Sequence, residues 1–432
     1  MHPTDPNALG ALPPAAVTTE VADLARRARA AGRALTRASG AQRTAALVGM
    51  AAALEEQAST LVAVNAEDIR DAAERGTSGA MLDRLTLTAG RVTDMARAVR
   101  EVAAQDDPLG EVEALTVRPN GLRVGRMRIP LGVVGIVYEA RPNVTADAAA
   151  LCIKSGNATL LRGGSEAHRT NAALVACLRG ALVAAGLPAD AVLALPSTDR
   201  AYILAMVQAE GLVDLVIPRG GEALIRFVTQ NARVPVIQHY KGVCHVFVDR
   251  AADEAKAVDI CVNAKAQRPG VCNAMETLLV HAEVADSFLP KVAVALTARG
   301  VELRGCPETL RRVPTATPAT DADWAAEYLD LILAVRVVPS LDAAIAHIEA
   351  WGSDHTESIV SEDYTAVSRF MAEVNSSVVV ANASTRFADG GQLGLGAEMG
   401  ISTSRLHAYG PMGARELTTR KFVVYGAGHV RT

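Results

Sequence analysis

Gln267-Arg268-Pro269-Gly270-Val271-Cys272-Asn273-Ala274-Met275-Glu276-Thr277 is the stretch from which the rest of this 432-residue chain can be read. Residues 253–265, just before it, carry a helical pattern, and residues 277–281, just after it, form an apolar run of β type. Pro269 cannot continue a helix, and Gly270 permits backbone angles closed to other residues. Cys272 is therefore expected on a tight turn between a helix and a strand, where a thiol can face a cleft. Local context leaves two readings open: a reactive thiol, or the small buried hydrophobe that most free cysteines are.

The composition bounds the problem. The length suits two domains or one large one. Half of the residues are hydrophobic and only 3% are aromatic, a balance expected of helices packed closely on sheets. The net charge of −4 comes from interspersed signs, so neither nucleic acid nor an anionic membrane is an expected partner. Six cysteines, at 152, 177, 244, 261, 272 and 306, show no paired metal-ligand spacing, and no metal is expected. Residues 1–16 lack the basic start and apolar stretch of a signal peptide, and residues 1–18 read as a mobile tail. No run approaches the ~18 apolar residues of a membrane span. A cytoplasmic protein without a disulfide framework is expected.

Outward from the cysteine, the chain changes texture twice. Residues 18–104 read as amphipathic helices, at 18–37 with Thr18 or Thr19 as N-cap, then at 42–57, 58–75 and 88–104. This front carries no nucleophile and no glycine-rich loop. At residues 107–110 the pattern becomes strand-like. The runs 112–117 and 122–129 meet through Pro119-Asn120-Gly121, a strong hairpin signal, and the exposed edges of such a hairpin invite pairing with another subunit.

From residue 132 strands and helices alternate. Strands are expected at 132–138, 158–162, 191–195, 213–217 and 234–238, with helices at 146–155, 165–185, 202–209 and 222–230. Such alternation predicts a doubly wound parallel sheet, whose ligands bind beyond the carboxyl ends of its strands. Two strand ends carry Arg-Gly-Gly: Arg162-Gly163-Gly164 and Arg219-Gly220-Gly221. Glycines let backbone N–H groups approach a phosphate, and arginine supplies a forked donor, so a dinucleotide is the natural ligand. Plain strand-to-helix turns would look similar, and G-x-G-x-x-G is absent. After the cysteine a second alternating unit follows, with strands at 278–280, 327–338, 357–360 and 377–382 and helices at 284–299, 341–349 and 364–374. Residues 389–404 form a glycine-rich loop, and 422–425 a final strand.

The segments Tyr-Glu-Ala-Arg-Pro-Asn-Val-Thr at 138–145, Lys-Ser-Gly-Asn-Ala at 154–158, Leu-Arg-Gly-Gly-Ser-Glu-Ala at 161–167, Ile-Pro-Arg-Gly-Gly at 217–221, the Cys272 stretch and Leu-His-Ala-Tyr-Gly-Pro-Met-Gly at 406–413 closely resemble, in this order, the gamma-glutamyl phosphate reductase family of the aldehyde dehydrogenase superfamily. The resemblance runs from about residue 130 to the C-terminus. It implies an α/β fold: a doubly wound cofactor domain (19–108 and 130–246), a smaller α/β catalytic domain (247–400), and an oligomerisation hairpin with a C-terminal strand (109–129 and 401–432). It implies Cys272 as nucleophile and Asn143 as an oxyanion donor. Arg162 matches the lysine that contacts the cofactor ribose, and Glu327 the glutamate on the nicotinamide ribose. Where hydrolytic members carry a glutamate base in Glu-Leu-Gly-Gly, this chain has His239-Tyr240-Lys241-Gly242. No carboxylate stands there to activate water, which fits exchange with phosphate.

The implied activity is reduction of L-glutamyl 5-phosphate by NADPH through a Cys272 thioester, toward proline. NADP is expected over NAD because Ser165 stands where NAD-selective members place a glutamate. Arg169, one turn on, could add charge; Glu166, one residue late, would favour NAD if the turn were shifted. Gly163, Gly164, Arg219, Gly220 and Gly221 are the further cofactor candidates, and Arg268 and Arg405 the substrate candidates. The resemblance also implies a homodimer or homotetramer and leaves room for association with the glutamate 5-kinase that makes the substrate. Two rivals stand: another acyl-phosphate, acyl-CoA-dependent or hydrolytic member of the superfamily, and a non-catalytic protein reusing the fold.

Overall fold

The computed structural model describes residues 12–77 and 79–431; the expected tail falls largely outside them. The chain divides into two compact units. One comprises residues 12–77, 79–238, 394–400 and 412–431, the other residues 239–393 and 401–411. The boundary at 238/239 lies ahead of the expected one, because a break after 246 would cut the buried strand Cys244–Val248.

The helical front of the first unit begins earlier than its threonines suggested. Its first helix is Ala15–Arg37, with Pro14 as N-cap residue. Thr18 and Thr19 lie inside it and return their hydroxyls to the carbonyls of Pro14 and Ala15. A proline suits a helix start, where its missing N–H costs nothing. Helices Gly40–Glu56, Ala58–Glu74 and Ala89–Ala104 follow as expected. Thr88 caps the last by accepting from the Arg91 amide. A short helix, Gly79–Leu85, fills the gap between the expected helices at 58–75 and 88–104.

The parallel sheet of this unit has four strands in the order Val192–Ala194, Ala158–Arg162, Val133–Tyr138, Leu215–Arg219. The middle strands are buried along their length, hence their unbroken apolar runs. The fifth strand, expected at 234–238, is reduced to a single bridge between Val216 and Val236; Pro235, just before Val236, supplies no N–H to a ladder. Val133, Val137, Leu160, Ile203, Met206 and Val216 share one core.

The hairpin Val112–Val117 and Arg123–Pro130 forms as expected. The terminal strand is longer than expected, Thr418–Tyr425, and pairs antiparallel with the hairpin's second strand in the same chain.

The second unit carries a seven-stranded parallel sheet. Its order is Thr317–Pro318, Glu302–Gly305, Ile332–Val338, Met275–His281, Cys244–Val248, Thr356–Val360, Val378–Ala381. The two-residue side-chain period divides its cores: Val246, Leu278 and Val280 face Phe288 and Leu296, while Phe247 and Leu279 face Ile345 and Phe370. The expected strand 327–338 is confined to Ile332–Val338, and the strands at 302–305 and 317–318 were not legible from the sequence.

Candidate active site

In the second unit, helix Glu254–Ala266 ends at Gln267, and strand Met275–His281 begins eight residues later. Residues 267–274 are turn, and the Ala274 N–H closes it on the Val271 carbonyl at 3.0 Å. Beneath it Lys265 Nζ donates to Glu276 Oε2 at 2.6 Å, both fully buried, joining the helix's last turn to the strand's start. Burial holds the Glu276 carboxyl above its usual range and draws the Lys265 ammonium down.

Cys272 itself is half-buried, whereas Cys152, Cys177, Cys244 and Cys261 are buried. Burial pushes the Cys177 thiol up to about 11 and the Cys152 thiol to about 12, so both stay protonated. Gly242 lies so close that a Cβ there would stand 2.0 Å from the Cys272 carbonyl oxygen. That carbonyl accepts the Cys244 thiol at 3.2 Å. The segment 239–242, expected to matter only for lacking a carboxylate, is thus packed on the cysteine. Its His239, the Cys272 sulfur and His355 place one ligand atom each within 4.8 Å of one another.

The structure adds a residue the sequence reading missed. Arg386, half-buried, donates through Nε to Gln267 Oε1 at 2.9 Å and through Nη1 to Asn273 Oδ1, spanning both sides of Cys272. Burial lowers its pKa, and the Asp389 carboxylate acts against that lowering. An arginine in the 3-10 turn Thr385–Phe387, more than a hundred residues downstream, gives no local signal. Arg268 is exposed beside the same turn. Arg405 is exposed, with contacts to Asn375, Asp354 and Tyr409, outside the 267–274 turn. Glu327 accepts the Gly242 N–H at 2.9 Å and so fixes the close approach to Cys272.

The first unit holds the strand-end turns. Arg162, 9% exposed, closes the strand Ala158–Arg162. Its Nη2 donates to the Thr198 carbonyl, and its buried Nε has no hydrogen-bond partner. Burial lowers its pKa against the pull of Glu166 and Glu139. Past Gly163 and Gly164, Ser165 is exposed at the head of the turn Ser165–Ala167. Glu166 folds back, accepting the Ala140 N–H at 2.5 Å. Arg169 is engaged elsewhere, with Asp71 at 2.7 Å and Asp68 at 3.2 Å, which corrects its expected role. Arg200, whose charge opposes that of Arg162, is the exposed cation nearby that the sequence reading overlooked.

The second Arg-Gly-Gly turn also has a carboxylate against it. The Gly221 N–H donates to Glu139 Oε2 at 3.0 Å, and a Cβ on Gly220 would meet the same oxygen at 2.4 Å. A carboxylate of the chain itself thus accepts the Gly221 N–H and lies against Gly220. Arg219 lies against Gly400 instead. Asn143 opens helix Asn143–Lys154 and donates through Nδ2 to Asp147 Oδ2 at 3.0 Å. Burial raises the Asp147 carboxyl to about 6, with the Asn143 bond and Arg219 opposing and Glu398 assisting.

The model of the aldehyde dehydrogenase family matches residues 1–305. A gamma-glutamyl phosphate reductase of Geotalea daltonii is 54% identical over 415 residues, 96% of this chain and 99% of that protein. The chain belongs to the aldehyde dehydrogenase family, in its gamma-glutamyl phosphate reductase branch. A second member of the branch, from Desulfatibacillum aliphaticivorans, is 55% identical over 412 residues, covering 95% of this chain and 99% of its own. The solved gamma-glutamyl phosphate reductase of Thermotoga maritima superposes with a TM-score of 0.93 at 47% identity, covering 96% of this chain and all of its own. The expected aldehyde dehydrogenase-like α/β fold is therefore the fold of this family member. Among the described residues no single helix is long and apolar enough to cross a membrane.

Proposed function

We propose that this chain reduces L-glutamyl 5-phosphate to L-glutamate 5-semialdehyde and phosphate, using NADPH, on the way to proline. One observation carries the choice of phosphate over water as the exchanging group. The segment packed on Cys272, residues 239–242, holds an imidazole and an ammonium but no carboxylate. The resemblance assigns the deprotonation of water in hydrolytic members to a glutamate at this place, and none stands in the segment.

Cys272 Sγ, as thiolate, forms a bond to the acyl carbon while the carbon–oxygen bond to phosphate breaks, and the pair of electrons leaves with phosphate. The Cys272 backbone N–H stabilises the oxyanion; losing one such donor costs about 3–4 kcal/mol elsewhere. Asn143 as a second donor rests on the resemblance alone. Arg386, beside Cys272, supplies a fixed forked cation for a phosphate or carboxylate. Arg268 supplies a second, exposed charge on the same turn, and Arg405 remains a candidate for the substrate's carboxylate.

Arg162, Gly163, Gly164 and Ser165 are the residues for the cofactor's adenosine end, with Glu327 for its nicotinamide ribose. The orphaned Nε of a buried arginine is a donor waiting for an acceptor. When bound, NADPH supplies the hydride that converts the thioester carbon. Cys272 then leaves as thiolate and frees the semialdehyde. Ser165 is neutral and exposed, and Arg200 adds a nearby cation, which favours the 2′-phosphate. A soluble cytoplasmic enzyme acting as a homodimer or homotetramer, with association to the glutamate 5-kinase, completes the reading.

The test is phosphate-dependent reduction of NADP+ by glutamate 5-semialdehyde, with and without Cys272. Cys272→Ser is expected to lose more than nine-tenths of the rate while cofactor affinity, read by fluorescence titration, stays within about twofold. Turnover at equal rate without phosphate, or with coenzyme A in its place, overturns the reading.

A further inference from the structure

Cys272 lies in a group of donors whose chemistry extends beyond covalent catalysis. Its sulfur and one ring nitrogen each from His239 and His355 fall within 4.8 Å of one another. These are a soft thiolate donor and two borderline imidazoles, a set that selects Zn2+ or its chemical neighbours over Mg2+ or Ca2+. The three come from well-separated stretches, so no C-x-x-C or H-x-x-H spacing announces them.

Two details prepare them as ligands. His239 Nδ1 stands 3.0 Å from the carbonyl oxygen of Ile401. A carbonyl only accepts, so Nδ1 carries the proton and Nε2 holds the lone pair. This is the outer hydrogen bond that metal-ligating histidines use to fix their tautomer. His355 is fully buried, with Nδ1 2.8 Å from the Thr356 hydroxyl and 3.6 Å from Cys244 Sγ, so its ring is held in place. His239 and Cys272 are half-buried. Bonds of about 2.3 Å to sulfur and about 2.0 Å to nitrogen put tetrahedral ligands roughly 3.5 Å apart. The donors therefore need to close by about an ångström, movement that the two half-buried side chains can supply.

We propose that Cys272, His239 and His355 form a three-ligand site for a thiophilic divalent cation, Zn2+ or Cd2+, with an open fourth position. Binding makes a metal–sulfur bond, and the thiol proton passes to solvent. The bound ion occupies the sulfur lone pair that would attack an acyl carbon. On the function proposed above, it is a reversible inhibitor that competes with the acyl phosphate; the site itself does not depend on that function.

Co2+ added to the metal-free protein tests the site without any assay of turnover. One equivalent is expected to produce a thiolate-to-cobalt charge-transfer band, abolished in Cys272→Ser and displaced by Zn2+. His239→Ala is expected to weaken the ion's affinity at least tenfold, and it removes a half-buried ring rather than a core one. In the same samples Zn2+ is expected to slow alkylation of Cys272 at least tenfold in the wild-type chain and less than threefold in His239→Ala, with Cys306 labelled at a constant rate as the internal control. Absence of the band, its survival in Cys272→Ser, or full affinity in His239→Ala overturns the proposal. A chain that gives the band but no phosphate-dependent NADP+ reduction leaves the site standing and removes the function.

Discussion

Single side chains carry the tests of cofactor choice and of the local response to pH. Ser165, which the resemblance sets at the position of a carboxylate in NAD-selective members, is exposed, and Glu166 is turned back onto the Ala140 amide. Ser165→Glu is therefore expected to shift the ratio of kcat/KM for NADP and NAD toward NAD by at least tenfold, or ~1.4 kcal/mol; equal ratios before and after would remove Ser165 from the cofactor site. Asp147 offers a pH test. Its carboxyl is raised by burial from an ordinary value of 3.8 to about 6, so the folded state holds its proton more tightly than the unfolded chain. The stability this confers is complete below about pH 4 and is lost as pH rises through 6, at most about 3 kcal/mol. Asp147→Asn is expected to gain on the wild type between pH 4 and 7 in urea unfolding. A difference that is flat in pH would show that the carboxyl is not raised.

At the scale of elements, the turn bearing Cys272 is held by what lies beneath it. Lys265 and Glu276 join the end of helix Glu254–Ala266 to the start of strand Met275–His281 without access to water. Removing one partner strands a buried charge, so Lys265→Met is expected to cost about 3–5 kcal/mol. The double variant Lys265→Met/Glu276→Leu is expected to recover most of that in unfolding free energy, because two apolar groups leave no charge unpaired. Additive losses would show that the pair does not act as a unit. The flanking helix and strand were legible in the sequence because their apolar periods are regular. The pair beneath was not, since its partners are eleven residues apart in different elements and only tertiary packing excludes water from both.

For the whole molecule, the three-stranded sheet of hairpin and terminal strand bears on assembly. Its outer strands, Val112–Val117 and Thr418–Tyr425, expose Val112, Leu115, Val117, Phe422, Val424 and Tyr425. Apolar side chains on open strand edges are sites for pairing with another chain. The wild-type chain is expected to sediment as a dimer or tetramer at micromolar concentration. Leu115→Lys with Val424→Lys is expected to lower the sedimenting mass while circular dichroism is unchanged. A wild-type monomer would remove the sheet from any assembly role.

The sequence by itself determined the alternating parallel units, the hairpin, the turn carrying Cys272, and the family. These follow from periods of two and 3.6, from Pro-Gly and Asn-Gly turn chemistry, and from segments in order. Tertiary structure alone decided which charges are free to meet a ligand. Arg169 is engaged by Asp68 and Asp71, and Glu139 accepts the Gly221 N–H beside Gly220. Arg386, His239 and His355 are brought to Cys272 from three distant stretches. The physical reason is one of range. Backbone preference and apolar patterning act over a few residues, whereas the pairing of charges and polar donors depends on where distant segments come to rest.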